Sequence, residues 1–197
     1  TMPIYKDLAH PNLIKLVDYE EIGGGFAMIF EWNDAECMHP MYPLSRKKFI
    51  QMILETKRQV FLDILKFHAH VAKQGYVAID FYDGSIMYDF ENSKTIVCDI
   101  DFYAKMPFTN SMGRMWGSSR FMSPEEFQLG ATIDEITNVY TMGATAFALF
   151  GDSRDRCIEK WQLSKGLFDI ATKAISDDRS KRQQSIAQLI EEWEATR

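Results

Sequence analysis

The chain has 197 residues, of which 46% are hydrophobic and 25% are charged, and its formal net charge is −6. This length and apolar content suffice to bury one core, so we expect one globular domain, or one and a fraction. A net negative charge argues against broad contact with nucleic acid or anionic lipid, because both require clustered positive charge. No apolar run reaches the roughly 20 residues of a membrane span, and we expect proteins and metal-bound nucleotides as partners.

Cysteines and histidines give no sign of a disulfide framework or a metal site. Cys37, Cys98 and Cys157 show no paired spacing, and the sequence has no secretory leader pattern, so we expect reduced thiols and a cytoplasmic location. His68 and His70 lie two residues apart in a helical stretch, where side chains diverge.

The first third of the chain predicts a hairpin followed by a long helix. Residues 13–19 alternate and are rich in branched side chains, residues 23–25 are three glycines, and residues 26–30 are apolar, which indicates strand, turn and strand. Residues 45–74 carry apolar side chains at spacings of three and four, which predicts a helix that ends at Gly75.

The middle of the chain alternates short strands with a loop and then a helix. We expect strands at residues 76–79, 85–88 and 95–98. Residues 102–120 lack periodicity but are rich in apolar side chains, which is typical of an ordered functional loop. Residues 133–150 are apolar nearly all round and predict a buried central helix.

Two helical segments close the chain. One apolar face begins at Leu167, and a second run follows Ser185. Ser185 with Gln188 three residues later reads as a capping box at the start of the last helix. Short strands mixed with these helices predict an α+β fold.

Three segments in this order resemble the protein kinase family. Residues 117–125 are similar to the end of a kinase activation segment, with Ser-Pro-Glu in place of Ala-Pro-Glu. Residues 138–143 resemble the start of the buried central helix, and residues 176–182 resemble the Asp-Pro-x-x-Arg turn before the last helices. The resemblance implies a protein-kinase-like fold, in which residues 1–32 end the small lobe as a remnant β-hairpin and residues 33–197 form the mainly helical large lobe.

Residues 27–33 look like the strand that runs into the kinase hinge. The resemblance implies that backbone groups of Glu31 and Asn33 hold the adenine edge of ATP, that Phe30 is the gatekeeper and that Met87 floors the adenine pocket. The alternative is an ordinary strand end.

The catalytic loop of the family is matched at a single motif position. Asp80 matches the catalytic aspartate, which orients the attacking hydroxyl. Ala78 and Ile79 replace the His-Arg pair, Tyr82 replaces the lysine that steadies the transferred phosphate, and Ser85 replaces the metal-binding asparagine.

Residues 95–101 resemble the strand that leads into the Asp-Phe-Gly motif. The resemblance makes Asp99 the magnesium ligand, places Ser85 as a second ligand, and puts Asp101 where glycine is usual. Asp99 and Asp101 alternate on an extended chain and could share a cation on one side. Residues 101–103 are an alternative equivalent of Asp-Phe-Gly, and a non-functional reading makes these aspartates caps and turn formers.

Further matched positions concern docking and structure. Ser118 matches a hydroxyl residue that contacts the catalytic aspartate and shapes the docking site for protein substrates. Glu125 and Arg182 match paired positions, so we expect a mostly buried ion pair, and Asn138 heads the central helix where the family usually has aspartate. Because Ile79 replaces the arginine that binds a phosphorylated activation segment, we expect no such switch here.

The leading hypothesis is an ATP- and Mg²⁺-dependent transfer of phosphate to serine or threonine of a protein. The alternative is a pseudokinase that binds nucleotide or a partner protein, which the substitutions around Asp80 favour. A third reading is a small-molecule phosphotransferase, although such enzymes generally lack the segment at residues 123–125. We expect the phosphate-clamping glycine loop, lysine and glutamate to lie upstream of Thr1.

Overall fold

The structure, a computed structural model, describes residues 2–196 and has an α+β fold, as the sequence predicts. The α-helices in this range are α1 Met2–Asp7, α2 Pro43–Ile50, α3 Leu54–Lys73, α4 Glu135–Phe150, α5 Lys165–Ala174 and α6 Ile186–Ala195. The strands are β1 Leu16–Ile22, β2 Gly25–Phe30, β3 Glu36–Cys37, β4 Tyr76–Val77, β5 Ile86–Asp89, β6 Lys94–Val97, β7 Ala104–Lys105, β8 Phe108–Thr109 and β9 Thr132–Ile133.

Strands β1 and β2 form the predicted N-terminal hairpin. They pair antiparallel from Leu16 opposite Phe30 to Ile22 opposite Gly25. Gly23 and Gly24 make the turn with φ angles of 52° and 89°, a region that costs glycine little. The first strand begins three residues later than the sequence pattern indicated.

The single helix predicted for residues 45–74 is wrong, because the structure divides it into α2 and α3. Pro43 starts α2 from its first turn, a position that proline favours, and the sequence reading overlooked it. Ile53 is extended, with ψ of 146°, and breaks the helical path before Leu54. The apolar spacing continues across this break, so periodicity alone did not reveal it.

Short antiparallel strand pairs position the loops between the helices. Strand β5 lies between β3 and β6, β4 pairs with β7, and β8 pairs with β9. The chain therefore leaves β4 for the segment that contains Asp80 and returns at β5, while β6 ends just before Asp99. A parallel bridge between Leu13 and Val97 ties the entry of the hairpin to β6.

Helix α4 is the centre of the helical part, as predicted. Asp134 caps its N-terminus, because its Oδ1 accepts hydrogen bonds from the amides of Ile136 and Thr137. All residues from 137 to 150 are buried, and α3, α5 and α6 pack around the helix. None of the helices in residues 2–196 combines the length and the apolar content that crossing a bilayer requires.

The last helix begins at a modified capping box. Ser185 Oγ accepts a hydrogen bond from the Gln188 amide at 3.0 Å, as the sequence predicts. Gln188 Oε1 accepts instead from the amide of Gln184, one residue before the cap, at 2.8 Å. Trp193 of α6 packs against Phe61 of α3 with 4.6 Å between ring centroids, which closes the core.

Candidate functional site

Asp80 lies in a loop that is hydrogen-bonded to helix α4 through the backbone of Ala78. The Ala78 amide donates to Asn138 Oδ1 at 2.7 Å, and Asn138 Nδ2 donates to the Ala78 carbonyl at 2.8 Å. Both groups are buried, so one side chain satisfies both polar groups of Ala78. The chain before Asp80 is therefore fixed to the most buried helix of the fold.

Asp80 and Asp99 share an unusual backbone conformation. Their φ angles are 63° and 58°, in the left-handed region that non-glycine residues rarely adopt. In the described chain the only other non-glycine residue with positive φ is Ser93. Such conformations cost of order 1–3 kcal/mol and cluster at functional sites, which makes this pair a candidate centre.

The carboxylates of this centre lie in one another's electrostatic field. Burial raises the pKa of Asp80, the charge of Asp99 raises it further, and Arg114 opposes the shift. Burial and the charge of Asp99 likewise raise the pKa of Asp101. A cation placed between these groups would relieve their mutual repulsion.

Oxygen atoms without partners add to the case for a cation. Within the part of the chain that the structure describes, the buried Ser85 Oγ and Asp101 Oδ1 have no hydrogen-bond partner. The Cys98 amide donates to the Ser85 carbonyl at 3.0 Å, which joins the Ser85 loop to the strand before Asp99. Hard oxygen donors of this kind suit Mg²⁺.

The protein side chains alone do not assemble a complete metal cage. Across residues 2–196, no group of three or more His, Cys, Asp or Glu side chains is arranged to hold a metal ion. Mg²⁺ commonly binds through one or two carboxylates together with substrate phosphates and water. The oxygens of Asp99, Asp101 and Ser85 therefore fit a nucleotide-borne Mg²⁺ better than a resident ion.

Tyr82 stands at the position where the family resemblance expects a lysine. Its pKa is raised by burial and then by the charges of Asp80 and Asp99, so its hydroxyl remains a hydrogen-bond donor. The ring lies against Gly84, where an added Cβ would stand 2.4 Å from Tyr82 Cε2. Gly84 is thus required for this placement of the tyrosine.

The residues predicted to bind adenine lie along the exit from β2 and on β5. The Glu31 amide donates to the Lys15 carbonyl at 2.9 Å, and Phe30 packs edge-on against Tyr5 with 5.0 Å between centroids. Within residues 2–196 neither the Glu31 carbonyl nor the Asn33 amide has a hydrogen-bond partner. Met87 is half-buried on β5.

A cavity of about 570 Å³ beside this segment is a different space. Its lining includes Glu31 and Asn33 but not Phe30, Met87 or Asp99. It is therefore not the nucleotide cleft that the sequence predicts.

Ser118 lies in the loop that approaches Asp80. At the preceding Gly117, φ is 137° and an added Cβ would stand 3.6 Å from Asp80 Oδ1. The same loop lines a cavity of about 700 Å³ that includes four arginines, which sequence reasoning missed because they come from separate segments. These are Arg114, Arg120, Arg154 and Arg156.

The ion pair expected between Glu125 and Arg182 is present. Arg182 donates from Nη1 to Glu125 Oε1 at 2.7 Å and from Nη2 to Oε2 at 3.0 Å. The Arg182 side chain is 0% exposed and that of Glu125 is 6% exposed. Burial opposes ionisation of Glu125, yet the hydrogen bonds from Arg182 hold its pKa below the ordinary value. The pair fastens the end of the loop region to the C-terminal helices.

Comparison with known proteins gives distant similarity to viral kinases. No protein-family model matches the chain. The chain is 20% identical over 142 residues to "Serine/threonine-protein kinase 1" of a Kenyan pig isolate of African swine fever virus, which covers 71% of this chain and 46% of that protein. The protein of the same name from a Malawian tick isolate is 21% identical with the same coverage. The Badajoz strain's protein is 22% identical over 143 residues, again 71% and 46% of the two chains.

The chain spans less than half the length of these curated relatives. The names of these relatives suggest a kinase-like family and a transferase. The identity is low and the match covers only part of each chain.

Proposed function

We propose that the chain is the large lobe, with the hinge hairpin, of a protein-kinase-like domain that transfers phosphate from ATP to serine or threonine of a protein. In this proposal residues 1–32 belong to the small lobe and residues 33–197 to the large lobe. The observation that carries the proposal is the pair Asp80 and Asp99, both in left-handed conformations and within each other's field. The distant similarity to viral serine/threonine kinases agrees with it.

Asp80 is the residue that acts on the acceptor. Its carboxylate accepts a hydrogen bond from the serine or threonine hydroxyl and orients that oxygen for attack. Its raised pKa makes it a better proton acceptor than an exposed aspartate. The anchor between Ala78 and Asn138 keeps this carboxylate in place, since positioning supplies much of the rate.

Two sets of residues would hold the nucleotide and its metal. Asp99, with Ser85 and Asp101, would hold Mg²⁺ through oxygen. The Glu31 carbonyl and the Asn33 amide would hold the adenine edge, between Phe30 at the gatekeeper position and Met87 on the floor. When bound, Mg²⁺–ATP supplies the phosphoryl group and the metal charge that offsets its negative oxygens.

Tyr82 favours the second candidate function, a pseudokinase that binds nucleotide or a partner. A tyrosine cannot supply the positive charge of the lysine it replaces, and its ring is held in place against Gly84. Its protonated hydroxyl can still donate one hydrogen bond toward a phosphate oxygen. Activity therefore has to be measured to separate the two candidates.

The test is transfer of radiolabelled phosphate from Mg²⁺–ATP to a panel of proteins by the intact protein and by Asp80→Asn. We expect Asp80→Asn to lower transfer at least about 100-fold, because it keeps the size and removes the carboxylate that orients the hydroxyl. Circular dichroism should show an unchanged fold.

The control is Asp177→Asn, which changes an exposed aspartate and should leave transfer unchanged. Equal labelling by wild type and Asp80→Asn would refute the role of Asp80. No labelling by any of the proteins, across the panel, would refute the kinase and favour the pseudokinase.

A further inference from the structure

Four arginines and three serines surround the cavity of about 700 Å³ beside the Ser118 loop, here called the arginine cavity. The arginines are Arg114, Arg120, Arg154 and Arg156, and no acidic side chain lines the space. In a chain whose net charge is −6, this is a local reversal of sign.

Three of these four arginines form no ion pair within the described residues. Arg120 is neutralised by Asp83, to which it donates two hydrogen bonds of 2.8 Å each. Across residues 2–196, Arg114, Arg154 and Arg156 form no salt bridge with a carboxylate. Guanidinium groups bind phosphate and carboxylate with paired hydrogen bonds, so the cavity is suited to an anion.

Two of the three guanidinium groups are held in position before any ligand arrives. Arg156 donates to the Arg120 carbonyl at 2.6 Å and to the Tyr140 hydroxyl at 3.2 Å, and it stacks over the Tyr140 ring. Arg114 donates to the carbonyls of Met115 and Gly117 at 3.2 and 3.1 Å. Each guanidinium carries five N–H donors, so donors remain for a ligand.

Arg154 is exposed and lines the same cavity. Its side chain points from a turn that is fixed by a 2.8 Å hydrogen bond from the Arg154 amide to Asp152 Oδ1. The guanidinium itself makes no hydrogen bond within residues 2–196. It is therefore the arginine whose removal disturbs the fold least.

The arginine cavity adjoins the candidate catalytic residue. Gly117 lines the cavity, and its position for a Cβ lies 3.6 Å from Asp80 Oδ1. Arg114 is close enough to Asp80 to act on its ionisation. An anionic side chain bound in the cavity would thus lie only a few residues along the substrate from the serine or threonine whose hydroxyl reaches Asp80.

We propose that the arginine cavity binds a negatively charged side chain of the protein substrate, near the acceptor serine or threonine. The shared chemistry is an oxyanion, carried either by a phosphorylated residue or by Asp and Glu. The inference rests on the proposed kinase function and adds the class of substrate to it. A neutral or basic sequence around the acceptor would leave the half-buried Arg156 and the exposed Arg114 and Arg154 without an anionic partner.

The test is binding of fluorescent peptides to the intact protein, measured by anisotropy without ATP. One peptide set places phosphoserine near the acceptor serine, a second places Asp and Glu there, and a third places Ala or Lys there. We expect the first two sets to bind and the third to bind at least about tenfold more weakly, because charge-assisted hydrogen bonds are lost. Affinity should fall as salt rises. The stronger of the two anionic sets identifies the source of the charge.

Arg154→Ala should weaken the anionic peptides about tenfold, and the double variant Arg114→Ala/Arg154→Ala should weaken them further. The matched control is Arg58→Ala on α3, which removes the same charge away from the cavity and should change nothing. Equal binding of anionic and neutral peptides, or equal effects of Arg154→Ala and Arg58→Ala, would overturn the inference. Inorganic phosphate that binds as tightly as the peptides would overturn the protein-substrate part.

Failure of this inference and failure of the proposed function give different results. Selective peptide binding without phosphate transfer would keep the arginine cavity as a binding site and reject the kinase activity. Phosphate transfer without preference for anionic sequences would keep the kinase activity and reject the arginine cavity as a substrate site.

Discussion

At the scale of residues, a buried network of charged side chains joins the segments of the C-terminal half. Arg182 is fully buried and bonded to both oxygens of Glu125. Arg179 adds a further bond to Glu125 Oε1 at 2.7 Å and also pairs with Asp134. The network ties the segment after the loop region to the start of α4.

Removing one member of this network should be costly. We expect Arg182→Ala to lower the free energy of unfolding by about 3–5 kcal/mol, because it leaves the Glu125 charge buried with one partner fewer. Urea denaturation measures this loss. Lys165→Ala, which breaks an exposed ion pair with Asp169, is the control and should change little. Similar losses in the two variants would show that burial of the pair does not matter.

Glu126 should make stability depend on pH. Burial raises its pKa from 4.5 to about 7, against hydrogen bonds from the amide and hydroxyl of Ser123. The folded state therefore binds this proton more tightly than the unfolded state. Its contribution to stability is complete below pH 4.5 and is lost as pH rises toward 7.

Glu126→Gln keeps the acceptor oxygen and removes the titration. The fall in unfolding free energy between pH 5 and pH 8 should therefore be smaller in Glu126→Gln than in wild type, measured by urea midpoints at each pH. The exposed change Glu194→Gln should keep the wild-type slope. A slope in Glu126→Gln that equals the wild type would contradict the burial effect.

At the scale of elements, the sequence pattern predicted the long buried helix α4 and the strands β4, β5 and β6, but it missed several two-residue strands. Helix α4 was expected at residues 133–150 and occupies Glu135–Phe150, because an all-round apolar run needs partners on every side. The two-residue strands β7, β8 and β9 have no pattern of their own. They exist through pairing with distant segments, which one sequence does not reveal.

The same limit applies to the candidate site. Asp80 and Asp99 could be named because each follows a recognisable strand in the expected order. Arg114, Arg154 and Arg156 could not, because they meet only after the chain folds. Arg154 and Arg156 flank an aspartate, a spacing that is common on solvated surfaces and carries no signal.

Helices α4 and α5 approach each other closely at Gly143. An added Cβ there would lie 2.7 Å from Ala174 Cβ and 3.1 Å from the Ala171 carbonyl. We expect Gly143→Ala to lower the unfolding free energy by about 1–3 kcal/mol through overpacking, although alanine favours helix more than glycine. Thermal or urea unfolding tests this.

The control for Gly143→Ala is Gly25→Ala, whose added Cβ meets nothing nearer than 3.7 Å. It should change stability by no more than about 0.5 kcal/mol. Stabilisation of the chain by Gly143→Ala would show that the helices can separate without cost.

At the scale of the whole molecule, the hairpin and the helical part differ in burial. Strands β1 and β2 pair only with each other in residues 2–196. They expose apolar side chains such as Phe26, which is 64% exposed, whereas α4 is buried. The core of the molecule therefore lies in the helices and the short strands that pack on them, and the hairpin contributes the segment that leads to Glu31.

Binding of Mg²⁺–ATP should raise the thermal midpoint of the whole protein, because a ligand that binds only the folded state stabilises it. Asp99→Ala should reduce or abolish this rise by removing the proposed metal ligand. Asp177→Ala, an exposed change, should keep it. Equal rises in wild type and Asp99→Ala would remove the metal role from Asp99, whatever the activity of the protein.

The contact between Asn138 and Ala78 has a consequence for enzymology. An amide both donates and accepts, and it carries no proton that titrates in the range where proteins are folded. A carboxylate at this position would accept a hydrogen bond from the Ala78 amide. It could donate to the Ala78 carbonyl only when it is itself protonated. This contact under Asp80 therefore does not change its charge with acidity, and titration of Asn138 adds nothing to a pH–rate profile of this protein.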